Sequence, residues 1–149
     1  MRAVVQRVRS AQVSVEGEVA CQMDEGLLAL VGVGRGDTAE SAAALAQRMV
    51  HLRIFGDESD RMNLSLLDTG GTLGVVSQFT LYGDARHGRR PSFVAACSAE
   101  EAAPLIEAVV DSARALGVRV VTGRFQASME VSLVNSGPVT ILLDTEKLF

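Results

Sequence analysis

Leu27-Leu28-Ala29-Leu30-Val31-Gly32-Val33 is a continuous apolar run. Such a run suits a strand buried on both faces at the centre of a sheet. Upstream of it, Val13-Ser14-Val15-Glu16 alternates apolar with polar, Glu16-Gly17-Glu18 reads as a turn, and Val19 to Met23 reads as the returning arm of a hairpin. Downstream, Asp37 is expected to open a helix with Glu40 as its capping-box partner, and Ala42, Leu45, Ala46 and Met49 follow at helical spacing to about Leu52. Leu73-Gly74-Val75-Val76 is a second apolar strand. Ser98 opens another helix, with Glu101 as its capping partner. Its stripe runs through Ala102, Leu105, Ile106, Val109, Val110, Ala113 and Leu116 to a stop at Gly117, with Pro104 tolerated near the first turn. Strands return at Val118 to Val121, Met129 to Val134 and Val139 to Leu143. The pattern implies an α/β single domain over residues 1–149: a mixed sheet with two main helices packed on it.

The chain has 149 residues, enough for one domain with a substantial core. Aromatic content is 4% with no tryptophan, so packing falls to Val, Leu, Ala and Met. No basic segment precedes an apolar signal core, and no apolar run approaches a membrane span. The two cysteines, Cys21 and Cys97, have no metal-ligand spacing and read as reduced thiols. A cytoplasmic protein without membrane association is expected. The net charge of −4 argues against a general nucleic-acid binder. Basic residues nevertheless cluster at Arg86, Arg89 and Arg90 around His87. That cluster is either a patch neutralising a few phosphates or a solvated loop.

Gly32, Gly34 and Gly36 imitate a phosphate loop, but Asp37 takes the place of the third glycine of the dinucleotide fingerprint. No Gly-Lys-Ser/Thr follows, so the stretch reads as a flexible strand-to-helix connection. The acidic turn from Phe55 to Asp60 lacks a spaced ligand set and reads as a solvated loop; no metal or cofactor is expected. Two segments are harder to explain as scaffolding. Ser77-Gln78-Phe79-Thr80-Leu81 puts small and polar residues at the end of an apolar strand, where sites are built. Asn135-Ser136-Gly137-Pro138-Val139-Thr140 puts a Gly-Pro pair between two strand patterns. That pair removes a side chain and then a backbone donor, which suits either a turn or a backbone that must face something at close range.

Together these two segments resemble the signature motifs of the D-aminoacyl-tRNA deacylases, a proofreading family. Met1-Arg2-Ala3-Val4-Val5-Gln6-Arg7-Val8, Arg61-Met62-Asn63-Leu64-Ser65 and Arg89-Arg90-Pro91-Ser92-Phe93 match further family blocks, and the resemblance covers essentially the whole chain. It implies a strongly curved, barrel-like sheet and a homodimer. It also implies a tRNA substrate gripped by its aminoacylated 3′ end, and hydrolysis of the D-aminoacyl ester to free D-amino acid and tRNA. Activity on glycine mischarged on alanine tRNA is implied too. Finally, it implies a cis Gly137-Pro138 peptide inserted from one subunit into the pocket of the other.

The usual catalytic groups are scarce. His51 falls in the first helix and His87 in the basic loop, and neither has a nucleophile-base spacing. Cys97 precedes a helix N-terminus that can lower a thiol pKa, yet no histidine partners it. Thr80 is the tempting nucleophile without an assigned base. An aminoacyl ester is already activated, so placement and oxyanion donors can suffice, and the amides of Phe79 and Thr80 are the candidates. Ser77 and Gln78 would hold that segment or touch the terminal adenosine. The resemblance implies that the tRNA's own 2′-hydroxyl takes part.

Chirality is expected to be read by exclusion, because one wall against the L direction serves every D-residue. Gly137 and Pro138 are the candidates for that wall. Asn135 and Thr140 would brace it through side-chain hydrogen bonds. Arg7 reads as a contributor or as a surface arginine, and Phe125 and Met129 as pocket liners or core. Gln126 and Asp60 stand where the family pattern has glycine. The competing readings are a non-catalytic RNA-binding module using the Arg86 to Arg90 patch, and a small hydrolase using Thr80 or Cys97.

Overall fold

The computed structural model describes residues 1–149 as eight strands and three α-helices. Strand β1 (Arg2–Val15) joins β2 (Glu18–Met23) through Glu16 and Gly17, both at positive φ (52° and 81°), the backbone that a two-residue hairpin requires. Strand β3 (Gly26–Gly32) pairs antiparallel with β1 and parallel with β6 (Thr72–Ser77), which pairs parallel with β7 (Arg119–Thr122). The sheet path is β2-β1-β3-β6-β7, and its two end strands approach each other. The expected mixed, barrel-like sheet is therefore present and nearly closed.

Sequence periodicity explains the two layers. Leu27, Ala29 and Val31 of β3 pack on one side against α1 (Ala39–Val50) and α3 (Ala99–Ala115). Leu28 points the other way, into a smaller cluster inside the curve of the sheet with Val8, Val13, Met23 and Val76. Burial on both faces is why this strand shows no alternation. The helices contribute Ala42, Leu45, Ala46 and Met49 from α1 and Ile106, Val109, Val110 and Ala113 from α3. Each large apolar side chain buried here stabilises by about 1.5–3 kcal/mol.

Several boundaries differ from expectation. The cap of α1 is Thr38, which forms a capping box with Ser41, so Asp37 and Glu40 are not its cap and partner. Asp37 instead takes the ammonium of Met1 at 2.5 Å and the amide of Gly34 at 2.7 Å. The turn near Phe55 belongs to a two-stranded ribbon, β4 (Phe55–Gly56) with β5 (Met62–Leu64). The Asp57 carboxylate braces it by accepting from the amides of Ser59 and Arg61 and from Asn63. A short helix α2 (Leu66–Thr69), capped by Ser65, was not anticipated. At its far end, α3 keeps the expected Ser98 cap and stops at Gly117 with φ 92°.

The last two expected strands are one, β8 (Glu130–Asp144), which lies along β1 and has no partner on its other edge. Pairing with β1 shifts register between Gln6 and Ser10, opposite the Gly137-Pro138 pair. A missing donor and a missing side chain interrupt the ladder there without ending the strand.

Asp60 and Gln126 both sit at left-handed φ, 59° and 60°. Glycine is the residue such a backbone favours, since a Cβ in this region costs about 1–2 kcal/mol. Gln126→Gly is expected to raise stability in urea by about 0.5–1 kcal/mol, after allowing for glycine's freer unfolded chain. Asp60→Gly should gain less, because aspartate tolerates the region better.

Candidate active site

Strand β6 ends at Ser77, whose pairing partner is Val31, and the amide of Gln78 donates to the Val31 carbonyl at 2.7 Å. The chain then leaves the sheet in a single 3₁₀ turn, Phe79–Tyr82. Phe79 and Thr80 open this turn, so their amides have no partner within it. Ser77 and Gln78 are half-buried, whereas Phe79 and Thr80 are exposed.

Beside this turn is a cavity of about 540 Å³, within the range of small-molecule sites. It is lined by Ser77, Gln78 and Phe79 from this turn, by Phe125, Gln126 and Met129 from the segment before β8, and by Val33, Cys97 and Ile106 among others. Phe125 and Met129 also touch the core, so their two expected roles coexist. No carboxylate, imidazole, amine or guanidinium lines the cavity. Cys97 is its one titratable side chain. Burial pushes the Cys97 thiol up, and its S–H donates to Glu101 at 3.4 Å, which pushes it further the same way. The helix N-terminus therefore does not make a thiolate here. The Thr80 hydroxyl accepts a hydrogen bond from the Gln78 side-chain amide at 2.5 Å, and no base reaches it. His51 caps α1 with its ring against the Gln47 carbonyl, and His87 lies in an exposed loop; neither lines the cavity.

The turn is locked from behind by residues that carry no sequence signal for the role. The Arg2 guanidinium donates to the Leu81 carbonyl at 3.2 Å, pairs with Asp144 at 3.1 Å and lies 4.5 Å from the Tyr82 ring centre. Burial, with Asp37 next, pushes the Tyr82 phenol well above its usual range, so it stays protonated. Gly34 is not the flexible connector its spacing implied. A Cβ there would lie 2.6 Å from the Tyr82 ring. Gly34→Ala is expected to cost about 1–3 kcal/mol in stability. Because the rigid ring must shift the turn, it should also lower the turnover rate, measured alongside urea unfolding.

The second motif lies elsewhere on the same chain. None of Asn135 to Thr140 lines the cavity, and Val131, which does, is six residues before Gly137, roughly 20 Å along an extended strand. The Gly137-Pro138 peptide is cis, both residues are exposed, and Gly137 has φ 127°. Asn135 braces the segment, accepting from the Val139 amide at 2.7 Å and donating to the Val139 carbonyl and the Thr140 hydroxyl. Arg7 is no free surface arginine: it donates to the carbonyls of Ser136 (3.0 Å) and Ile54 (2.5 Å).

Comparisons with known proteins identify the family. Residues 4–144 match the family described as D-Tyr-tRNA(Tyr) deacylase. A D-aminoacyl-tRNA deacylase of Geobacillus sp. (strain WCH70) is 53% identical, covering 99% of this chain and 97% of that one. One from Roseiflexus sp. (strain RS-1) is 57% identical, covering 97% and 94%. Among solved structures, the c-Myc DNA unwinding element binding protein superposes with a TM-score of 0.91 at 34% identity, covering 97% of this chain and 98% of its own. With its motifs, its nearly closed sheet and full-length relatives at this identity, the chain belongs to the D-Tyr-tRNA(Tyr) deacylase family.

Proposed function

We infer that the chain is an editing hydrolase that cleaves the ester of D-aminoacyl-tRNA, releasing free D-amino acid and tRNA. Family membership supports the reaction, and one observation supports the mechanism: the cavity contains no acid or base able to activate water. The protein's contribution is then placement and electrostatics. The terminal adenosine sits against Ser77 and Gln78, and the amides of Phe79 and Thr80 face the oxyanion as it forms. The proton shuttle is the vicinal 2′-hydroxyl of the substrate's own ribose. Phe125 and Met129 line the seat of the nucleoside.

The active unit is a homodimer in which Gly137 and Pro138 of one subunit enter the cavity of the other. The exposed Gly-Pro segment, its absence from the cavity of its own chain and the unpaired outer edge of β8 support this arrangement. Their main-chain atoms block the direction an L side chain would take. Glycine has no side chain to block, so glycine mischarged on alanine tRNA is also cleaved. No helix is long and apolar enough to cross a membrane. The proposed location is the cytoplasm, where aminoacylated tRNA is found.

The deciding assay incubates the purified protein with D-tyrosyl-tRNA and L-tyrosyl-tRNA. Rapid loss of the D ester with survival of the L ester is expected. Tight, salt-sensitive tRNA binding with both esters intact would instead identify a non-catalytic RNA-binding module.

A further inference from the structure

The loop from Asp84 to Ser92 is closed at its base by a two-way backbone pair, Asp84 N–H to Ser92 O at 2.8 Å and Ser92 N–H to Asp84 O at 2.9 Å. Within it the Asp84 carboxylate takes a bidentate grip from Arg86 at 2.9 and 2.6 Å. That pairing holds the Asp84 carboxyl below the usual carboxylate range. The charge of Arg86 is thus cancelled inside the loop. Arg89 and Arg90 are different: both are exposed, and neither has an ionic or hydrogen-bonded side-chain partner anywhere in the chain. On a chain of net charge −4 they form a local excess of positive charge with nothing of its own to neutralise.

The loop is also tied to the cavity. Phe93, three residues beyond Arg90, meets Phe79 edge-to-face with ring centres 5.1 Å apart, and Phe79 lines the cavity. Three residues of chain span at most about 11 Å. A guanidinium on Arg89 or Arg90 therefore lies within reach of a strand leaving the cavity mouth. Guanidinium is the side chain suited to two-pronged phosphate contact.

We propose that Arg89 and Arg90 clamp the phosphates immediately 5′ to the terminal adenosine, on the single-stranded 3′ end of the RNA. The proposal rests on the reading of the cavity as the seat of the aminoacylated adenosine. The clamp supplies affinity for the RNA strand and takes no part in ester cleavage. It also reconciles an acidic protein with a polyanionic substrate, because the grip is confined to one short loop.

The test compares wild type, Arg89→Ala/Arg90→Ala and Arg89→Lys/Arg90→Lys on three esters: D-tyrosyl-tRNA, the D-tyrosyl 3′-terminal trinucleotide, and D-tyrosyl-adenosine, which carries no phosphate. KM and the rate at saturation are measured across a salt series. The double alanine variant should raise KM at least tenfold for the two phosphate-bearing esters and flatten the log KM against log salt slope by about 1.4, near 0.7 per lost single-strand contact. Its rate at saturation should stay within twofold, its rate on D-tyrosyl-adenosine should match wild type, and the lysine variant should retain most of the slope. An unchanged slope, or an equal loss on D-tyrosyl-adenosine, would overturn the clamp. A defect seen only with full-length tRNA would overturn its placement at the 3′ end. Wild-type protein that leaves all three esters intact would refute the deacylase reading instead; the same salt series on binding of uncharged tRNA then judges the loop by itself.

Discussion

Replacing the terminal 2′-hydroxyl of the substrate by hydrogen is expected to lower the deacylation rate by about two to three orders of magnitude, whereas Thr80→Ala should keep the rate within about fivefold. The first magnitude is that of losing a positioned proton-transfer group. The second follows from the environment of Thr80. Its hydroxyl accepts from Gln78 and has no base to deprotonate it, and its side chain does not line the cavity. A hydroxyl in that state is a poor nucleophile. What Thr80 contributes in the proposed mechanism is its backbone amide, which alanine retains. Single-turnover deacylation of D-tyrosyl-tRNA, with and without the 2′-hydroxyl, measures both. Loss of activity in Thr80→Ala together with full reactivity of the deoxy substrate would restore Thr80 as the nucleophile.

Gly137→Ala is expected to lower D-ester cleavage on the order of 10²-fold and to narrow the gap between D and L esters. Its φ of 127° lies where side-chain-bearing residues rarely sit. An added Cβ would stand 2.8 Å from an Arg7 guanidinium nitrogen and 2.8 Å from Val139 Cγ2. The segment must shift, and an ångström of displacement at a reacting site has effects of this size. Because the segment is exposed, the loss of global stability should stay at about 1–3 kcal/mol. The proposed insertion across a dimer adds a sharper expectation. Co-expression of Gly137→Ala with Ala127→Trp, which fills the cavity, should restore activity to about a quarter of wild type, since one site in a mixed dimer has both intact halves. Recovery no greater than the sum of the separate variants would place the segment's role within its own subunit.

The layers of the fold were legible because hydrophobic period and burial coincide. The run from Leu27 to Val33 has both faces covered, and the stripe from Ile106 to Ala113 has one. What escaped reading was set by tertiary contact. Asp37 looks like a helix cap locally, yet the Met1 ammonium and the Gly34 amide claim its carboxylate, leaving Thr38 to cap. The strands on either side of Gly137-Pro138 looked separate because the pair breaks the alternation, while β1 holds them as one strand. Ser77, Gln78 and Phe79 of the first motif line one cavity with Phe125 and Met129, whereas Thr80 and the whole second motif do not. Arg2 and Tyr82 behind the turn were invisible, since no local pattern marks a residue whose partners are about eighty or more positions away. The left-handed backbones of Gln126 and Asp60 are likewise set by their turns and carry no signal in residue type.

In the proposed mechanism, main-chain bulk presented across a subunit contact refuses one enantiomer without attracting the other. Glycyl, D-alanyl and L-alanyl esters on the same alanine tRNA differ by one methyl group and its direction, so their relative deacylation rates test it most directly. Comparable rates are expected for the glycyl and D-alanyl esters, with a rate on the order of a hundredfold lower for the L-alanyl ester. A glycyl ester as resistant as the L-alanyl one, or an L-alanyl ester cleaved near the D rate, would contradict it.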